Sequence, residues 1–261
     1  MKKNLSTNFR TWRWLVVTVI FAAMTSLFGA IAQAQVKNIV LVHGAWGDGS
    51  GWEGVYKILT TKGYHVDVVS NSDQSLVADA ASVRAVLARQ KGPVILVGHS
   101  YGGAIITQAG DTSNVAALVY VSAFAPDEGE SLLSLQKAGP PNPESGIMPP
   151  VNGLLWYDTA KFYKDFCPDL PVALADFMNH SQTPLGLAAA VTPITNPAWK
   201  KKPSWFIVST LDRMIPPDAE RFMAKRAGSK ITEIKASHVA FISHPKEVAD
   251  VIEAAANAAI K

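Results

Sequence analysis

Short apolar runs rich in β-branched residues alternate along the chain with segments whose apolar residues recur every three or four positions. Runs of the first kind are typical of buried parallel strands, and segments of the second kind predict amphipathic helices. The predicted strands are residues 38–42, 65–69, 94–97, 116–121, 205–209 and 231–234. The predicted helices are residues 52–62, 75–90, 104–109, 218–227 and a last segment after Pro245. This alternation predicts an α/β fold with a mostly parallel, doubly wound sheet, flanking helices and right-handed crossovers.

The alternation is interrupted between about residues 126 and 203. This segment is rich in proline and contains only scattered helical pieces, at residues 158–166 and 170–179. A loop this long within a compact domain usually carries function or forms a subdomain. Because the strand pattern resumes after it, we expect a helical cap inserted between two strands of one sheet, within a single domain of residues 35–261.

The first 34 residues differ from the rest in charge and hydropathy. Four basic residues between positions 2 and 13 precede an apolar stretch that ends in Ala32-Gln33-Ala34. A basic start, an apolar centre and a small-x-small ending are the features of a secretory signal peptide. Residues 1–34 are therefore predicted to be a Sec-type leader cleaved after Ala34, leaving a periplasmic or secreted protein without stable membrane association. The alternative is an uncleaved anchor, since the apolar stretch approaches the length of a bilayer span.

Charge and cysteine content exclude several kinds of partner and cross-link. The full chain has a formal net charge of +3, but the leader holds four of its basic residues and no acidic ones. The remainder is close to neutral, so no basic surface indicates a nucleic-acid partner. Cys167 is the single cysteine, which excludes an internal disulfide and predicts a packed thiol.

The strongest chemical motif follows the predicted strand 94–97 and opens a helix. Residues 98–103 are Gly-His-Ser-Tyr-Gly-Gly, which contains G-x-S-x-G at a strand-to-helix turn. Such a turn places its serine at the apex on strained backbone, and the flanking glycines leave room for it. The helix N-terminus adds partial positive charge beside the serine. Ser100 is therefore predicted to be a nucleophile; the alternative is a glycine-rich turn without chemistry.

A serine hydroxyl needs an adjacent base to become a nucleophile. In sites built on this turn, an acid and then a histidine follow the serine along the chain. His238 lies in a loop between the last predicted strand and the last helix, and is predicted to be the base. His180 in the cap and His244 at the start of the last helix are predicted to be surface or capping residues.

The acid that orients the histidine should follow the strand at residues 205–209. Asp212 lies in that loop, and is predicted to hold the imidazole in the correct tautomer and to stabilise the imidazolium. Asp127, which follows the strand ending at Val121, is the alternative acid.

An oxyanion hole requires two backbone N–H groups aimed at the developing charge. One is predicted to belong to Tyr101, the residue after the nucleophile, and the other to Ala45, in the loop after the first strand. In that loop His43 is expected to make structural ring hydrogen bonds, and Gly44 to let the chain approach the site. Trp46 is predicted to line the substrate pocket.

Taken in order, these motifs resemble the α/β-hydrolase superfamily over the whole chain after the leader. The closest resemblance is to the small esterases that include plant methyl esterases and hydroxynitrile lyases, together with their bacterial relatives. The segments Cys-Pro-Asp-Leu-Pro at 167–171 and Pro-Ala-Trp-Lys at 197–200 are similar to the bacterial branch. The resemblance implies the α/β-hydrolase fold and a serine hydrolase.

Three positions depart from other branches of the superfamily. In the lyases, a threonine follows the first-loop histidine and a lysine follows the catalytic histidine, whereas this chain has Gly44 and Val239. The cation that would stabilise cyanide is thus missing. Epoxide hydrolases and haloalkane dehalogenases need an aspartate, and dienelactone hydrolases a cysteine, where Ser100 stands.

These observations predict a carboxylesterase that cleaves small, largely apolar esters through an acyl-enzyme on Ser100. No cofactor or metal is expected, because the sequence has neither a metal-spacing cluster nor a Rossmann-type glycine loop. Two alternatives remain: a lyase or carbon–carbon hydrolase with the same triad, and a non-catalytic binding protein of this fold. Six cap residues are candidates for the pocket wall: Trp156, Tyr157, Phe162, Phe166, Phe177 and Met178.

Overall fold

A computed structural model describes residues 35–139 and 145–259 of the chain. The predicted leader at residues 1–34 and its cleavage site lie outside the described residues. The described strands are β1 (Asn38–Val42), β2 (His65–Val69), β3 (Val94–His99), β4 (Val115–Val121), β5 (Leu154–Leu155), β6 (Leu185–Gly186), β7 (Ser204–Ser209) and β8 (Lys230–Ile234). The described helices are α1 (Glu53–Thr61), α2 (Leu76–Arg89), α3 (Tyr101–Ala109), α4 (Leu132–Ala138), α5 (Thr159–Phe166), α6 (Val172–His180), α7 (Leu187–Val191), α8 (Pro217–Arg226), α9 (Ala240–Ser243) and α10 (Pro245–Ala258).

Six of these strands form one sheet in the order β2-β1-β3-β4-β7-β8, and every pair is parallel. The inner strands are almost completely buried, because their valine, isoleucine and leucine side chains meet helices on both faces. The edge strands β2 and β8 are mostly exposed. The predicted α/β fold class is therefore confirmed.

The strand order reverses between β1 and β3, and this reversal determines where a site can form. The chain runs outward from β1 to β2 and then returns to β3 on the other side of β1. Crossovers in opposite directions place their helices on opposite faces, so α1 packs against α10, whereas α2 packs against α3. A crevice opens at the carboxyl ends of the strands at such a reversal. Ser100, just after β3, and residues 43–46, just after β1, lie at this crevice.

Helix α3 begins at Tyr101, three residues before the predicted start. The sequence pattern favoured the later start because glycines at 102 and 103 lower helix propensity. In the structure the helix lies so close to the chain after β4 that a Cβ on Gly103 would be 2.3 Å from the Phe124 carbonyl oxygen. Tertiary packing therefore requires glycine here despite its cost to the helix.

The segment between β4 and β7 contains the predicted helical pieces and several shorter elements. Helix α5 begins after Asp158, whose carboxylate accepts a hydrogen bond from the Ala160 N–H, and α6 begins after Pro171. Helices α4 and α7 and the antiparallel pair β5–β6 were not predicted. Within the described ranges, none of the helices combines the length and hydropathy needed to cross a bilayer.

Candidate active site

Ser100 occupies the turn between β3 and α3 with φ +52° and ψ −121°. This is an unfavourable conformation for a residue with a side chain, costing roughly 1–3 kcal/mol, and it persists only where neighbouring bonds fix it. Here the Ser100 N–H donates to the Val121 carbonyl oxygen at 3.3 Å, and the Ser100 carbonyl oxygen accepts from the Phe124 N–H at 3.1 Å. The strained turn is thus held by the chain at and after the end of β4.

One continuous series of hydrogen bonds links Ser100, His238 and Asp212. His238 Nε2 lies 2.9 Å from Ser100 Oγ, and His238 Nδ1 lies 2.6 Å from Asp212 Oδ2. All three residues are buried. The other oxygen of Asp212 accepts hydrogen bonds from two backbone N–H groups of its own loop. The structure therefore brings together the three residues that the sequence indicated as nucleophile, base and acid.

The alternative residues lie elsewhere. The Asp127 carboxylate pairs with Lys200 Nζ at 2.5 Å, and His180 is an exposed residue 3.7 Å from Asp176 on α6. His244 precedes α10, with its Nδ1 2.8 Å from the Ser243 hydroxyl. Neither Asp127 nor these two histidines belongs to the series of hydrogen bonds that starts at Ser100.

The loop after β1 lies directly against Ser100. A Cβ on Gly44 would be 2.6 Å from the Ser100 Cβ, so only glycine fits at this distance. Trp46 has φ +61°, and its backbone N–H and indole N–H donate to the Thr183 and Leu155 carbonyl oxygens at 2.8 and 2.9 Å. The predicted oxyanion donors Ala45 and Tyr101 thus belong to two segments that flank the serine, and the first is tied to the cap.

A buried polar network lies behind these two segments. The Tyr101 hydroxyl donates to Asp79 Oδ2 at 2.8 Å, and Asp79 Oδ1 accepts from the Ser72 and Asp73 N–H groups. His43 Nδ1 lies 3.0 Å from the Gly44 carbonyl oxygen, as expected of a structural histidine, and burial lowers the His43 pKa. Burial and the Asp79 carboxylate raise the pKa of Asp73 to about 9. No local pattern marks Asp79 as special, because an aspartate in a first helical turn is ordinary.

Two further buried groups contact His238 and Asp212. His99 Nε2 lies 3.0 Å from the His238 carbonyl oxygen, so Nε2 carries the proton and donates it. Burial and the neighbouring His238 hold the His99 pKa well below its usual range. Glu220 on α8 accepts a hydrogen bond from the Ser209 N–H, and burial and the nearby Asp212 raise its pKa well above the usual value. Neither residue could be predicted from the sequence, because neither role has a motif.

A cavity of about 250 Å³ opens between the loop after β1 and the cap. Gly44, Ala45 and His99, which neighbour Ser100 in space or in sequence, contribute to its wall, whereas the buried Ser100 and His238 are not among its lining residues. Of the six cap residues expected to line it, Phe166, Phe177 and Met178 do so. Tyr157 and Phe162 are instead buried in the packing of the cap, and Trp156 is 40% exposed. The other apolar wall residues include Trp46, Leu174, Phe241 and Ile242.

Two further chemical features concern the part of the chain that the structure describes: metal-ligating clusters and the single cysteine. No cluster of three or more histidine, cysteine, aspartate or glutamate residues there could hold a metal ion. Cys167 is a buried free thiol, and burial, with Asp169 nearby, raises its pKa to about 12. It therefore stays protonated at neutral pH, as a packed side chain should.

Comparison with known proteins identifies relatives over most of the chain. Residues 39–251 match the model of the alpha/beta hydrolase family. A carbendazim-hydrolyzing esterase from Nocardioides sp. is 27% identical, with 84% of this chain and 99% of the relative aligned. A pyrethroid hydrolase from Sphingobium wenxiniae is 27% identical over 83% of this chain and 86% of its own. The crystal structure of polyneuridine aldehyde esterase superposes with a TM-score of 0.71 at 20% identity, covering 84% of this chain and 98% of that one.

Proposed function

The chain belongs to the α/β hydrolase family as an esterase-type member, and on this premise we propose that it cleaves small, largely apolar carboxylic esters with Ser100, His238 and Asp212 as its triad. The observation that carries the proposal is the continuous path of hydrogen bonds from Ser100 Oγ through both ring nitrogens of His238 to Asp212. A nucleophile and base within hydrogen-bond reach, with the base oriented by a third group, is the arrangement that activates a serine.

The first half-reaction forms the acyl-enzyme. Ser100 Oγ attacks the ester carbonyl carbon while His238 Nε2 takes the hydroxyl proton, and Asp212 stabilises the resulting imidazolium. The tetrahedral oxyanion lies between the N–H groups of Ala45 and Tyr101, each donor being worth about 3–4 kcal/mol. The carbon–oxygen bond to the leaving alcohol then breaks, and His238 returns the proton to that alcohol.

The second half-reaction releases the acid. A water molecule gives a proton to His238 Nε2 as its oxygen attacks the acyl carbon, and the oxyanion is held by the same two N–H groups. Collapse of this intermediate breaks the bond to Ser100 Oγ, which recovers the proton from His238. The carboxylic acid leaves, and the enzyme is restored without a cofactor.

The wall of the cavity supports an apolar substrate. Aromatic and aliphatic side chains from the cap face the loop that carries Ala45 and Trp46, and the charged residues in the wall are Asp48 and Glu53, with no lysine or arginine among the lining residues. A neutral ester with an apolar group therefore fits this wall better than an anionic one. Carbendazim and pyrethroids, named for two relatives, are substrates to include in a test.

Replacing the nucleophile tests the proposal. Ser100→Ala should abolish hydrolysis of p-nitrophenyl esters and labelling by a fluorophosphonate, because nothing else supplies the attacking oxygen. A matched control is Ser113→Ala, at an exposed turn before β4, which should keep wild-type activity. The assay uses a series of acyl chain lengths on protein free of host esterases. Equal ester hydrolysis by Ser100→Ala and wild type would refute the assignment.

A further inference from the structure

The loop that carries His238 is bound by a carboxylate of the cap. Asp169, three residues after the end of α5, accepts hydrogen bonds from both the backbone N–H and the hydroxyl of Ser237. The N–H bond measures 2.8 Å, and the same carboxylate accepts from the Ser243 hydroxyl on α9 at 2.9 Å. Ser237, which directly precedes His238, is only 1% exposed. One cap side chain thus holds the segments on both sides of the histidine.

The same part of the cap also contacts the loop that carries Asp212. Asp165, in the last turn of α5, is buried, and its Oδ1 accepts from Arg213 Nε at 3.0 Å while its Oδ2 accepts from the Tyr157 hydroxyl at 3.1 Å. Between the two carboxylates, the Phe166 ring meets the His238 ring edge to face, with centroids 5.1 Å apart. Residues 165–169 therefore contact both loops of the triad, and we call them the cap strut.

These contacts restrain the loop of His238, a side chain whose position can vary little. His238 must keep Nε2 at 2.9 Å from Ser100 and Nδ1 at 2.6 Å from Asp212 at the same time. Its carbonyl oxygen is fixed from the sheet side by His99 at 3.0 Å. A displacement of about 1 Å in a reacting group can cost on the order of 100-fold in rate. The cap strut restrains the same loop through Ser237 and Ser243.

We propose that Asp169 is a positioning residue for His238. As part of the cap packed against the His238 loop, Asp169 sets the orientation of the base. This inference rests on the proposed function, because it assigns His238 the role of base. It adds that the cap does more than form the pocket wall: its strut holds the triad loops in the geometry needed for proton transfer.

Two substitutions at Asp169 separate positioning from simple packing. Asp169→Ala removes the acceptor of the Ser237 N–H and leaves the Ser237 hydroxyl only the Phe166 carbonyl oxygen at 3.4 Å. Asp169→Asn keeps one oxygen for the Ser237 N–H, and its amide can donate to the Ser237 hydroxyl. It should therefore retain the activity that Asp169→Ala loses. Asp176→Asn, on exposed α6 of the same cap, is the matched control. Ser237→Ala removes the contacts of the hydroxyl but keeps the N–H bond to Asp169, so it provides a milder change should Asp169→Ala fail to fold.

The first measurement needs no substrate. In 1H NMR spectra of the folded variants, the proton on His238 Nδ1 gives a downfield resonance because it is hydrogen-bonded to Asp212, and His238→Ala assigns it. Asp169→Ala should shift or broaden this resonance and Ser237→Ala should do so partly. The two asparagine variants should leave it in place. An unchanged resonance in folded Asp169→Ala and Ser237→Ala would overturn the proposal.

The second measurement separates kcat from KM for a p-nitrophenyl ester. Asp169→Ala should lower kcat roughly 10- to 100-fold with little change in KM. A raised KM with unchanged kcat would show that Asp169 shapes only the pocket, and would overturn the positioning role. If the wild type hydrolyses no ester but the resonance responds as expected, the proposed function fails while the positioning role stands.

Discussion

At the scale of single residues, the two carboxylate oxygens of Asp212 bind different partners. Oδ2 faces His238 Nδ1, whereas Oδ1 accepts from the Met214 and Ile215 N–H groups at 2.7 and 3.0 Å. Two backbone donors on one oxygen fix which edge of the carboxylate faces the histidine. An amide in the same place would keep its oxygen on those donors and turn its NH₂ group toward the imidazole.

This asymmetry predicts the effect of Asp212→Asn. The NH₂ group would force His238 Nδ1 to act as an acceptor and place the proton on Nε2, where it cannot take the Ser100 proton. We expect the fold to survive and kcat to fall by about 10⁴, as expected for a wrong tautomer. Steady-state kinetics and circular dichroism measure both quantities. Asp127→Asn, at the alternative acid, should change kcat little; the opposite ranking would assign the acid to Asp127.

The raised pKa of Glu220 predicts a pH dependence of stability. In the folded protein burial and Asp212 keep Glu220 protonated, whereas in the unfolded chain it ionises near its ordinary value of 4.5. The unfolded state therefore binds fewer protons above that pH, and stability falls as pH rises from there toward the folded pKa. Glu220→Gln removes this loss and keeps an N–H donor beside Asp212.

Melting temperatures at pH 5 and pH 8 test this expectation. The gain in Tm of Glu220→Gln over wild type should be larger at pH 8 than at pH 5. Glu233→Gln is the control, because Glu233 is an exposed residue whose pKa is lowered by Arg221 and which should show no such gain. An equal gain at both pH values would mean that Glu220 is ionised in the folded protein.

At the scale of elements, the loop after β1 lies very close to the turn after β3. A Cβ on Gly44 would lie 2.6 Å from the Ser100 Cβ and 2.8 Å from the His99 carbonyl oxygen. Backbone atoms cannot rotate away, so one element must move. Because the two elements carry the proposed oxyanion donors, that movement would separate the two N–H groups.

Gly44→Ala is therefore expected to impair catalysis more than stability. Overpacking of this kind costs roughly 1–3 kcal/mol, while a displaced oxyanion donor costs about 10²–10³ in kcat. Gly47→Ala, three residues along the same loop, is the control, because an added methyl there meets nothing within 4 Å. Urea unfolding and kcat together check the prediction, which would be wrong if both alanine variants kept wild-type kcat.

Elements differ in how well their sequences revealed them. Strand β3 and the turn after it could be predicted because a run of buried apolar residues meets a motif defined by local backbone geometry. The five-residue helix α7 and the two-residue strands β5 and β6 could not, since they are too short to show a period. The roles of three other residues could not be predicted for another reason: Asp79, Asp169 and Glu220. Their partners are brought near by the fold, and no local sequence pattern marks such contacts.

At the scale of the whole molecule, the predicted leader implies a mature protein shorter than the full chain. We expect export to remove residues 1–34, so that the mature protein begins at Gln35. N-terminal sequencing and intact mass of protein from the periplasm or medium test this. A mass near the full 28.0 kDa in a membrane fraction would instead support the uncleaved anchor.

The wide spacing of Ser100 and His238 along the chain has a consequence for how the protein is expected to gain activity as it folds. Ser100 and His238 are 138 positions apart, and the strands that carry them are joined only through β4 and β7. Parallel pairing over such separations is slow, because loop closure costs entropy before the contacts form. We therefore expect a refolding chain to regain helical circular dichroism before it regains turnover. Recovery of turnover should follow the pairing of β7 and β8 with the sheet, because His238 lies in the loop after β8.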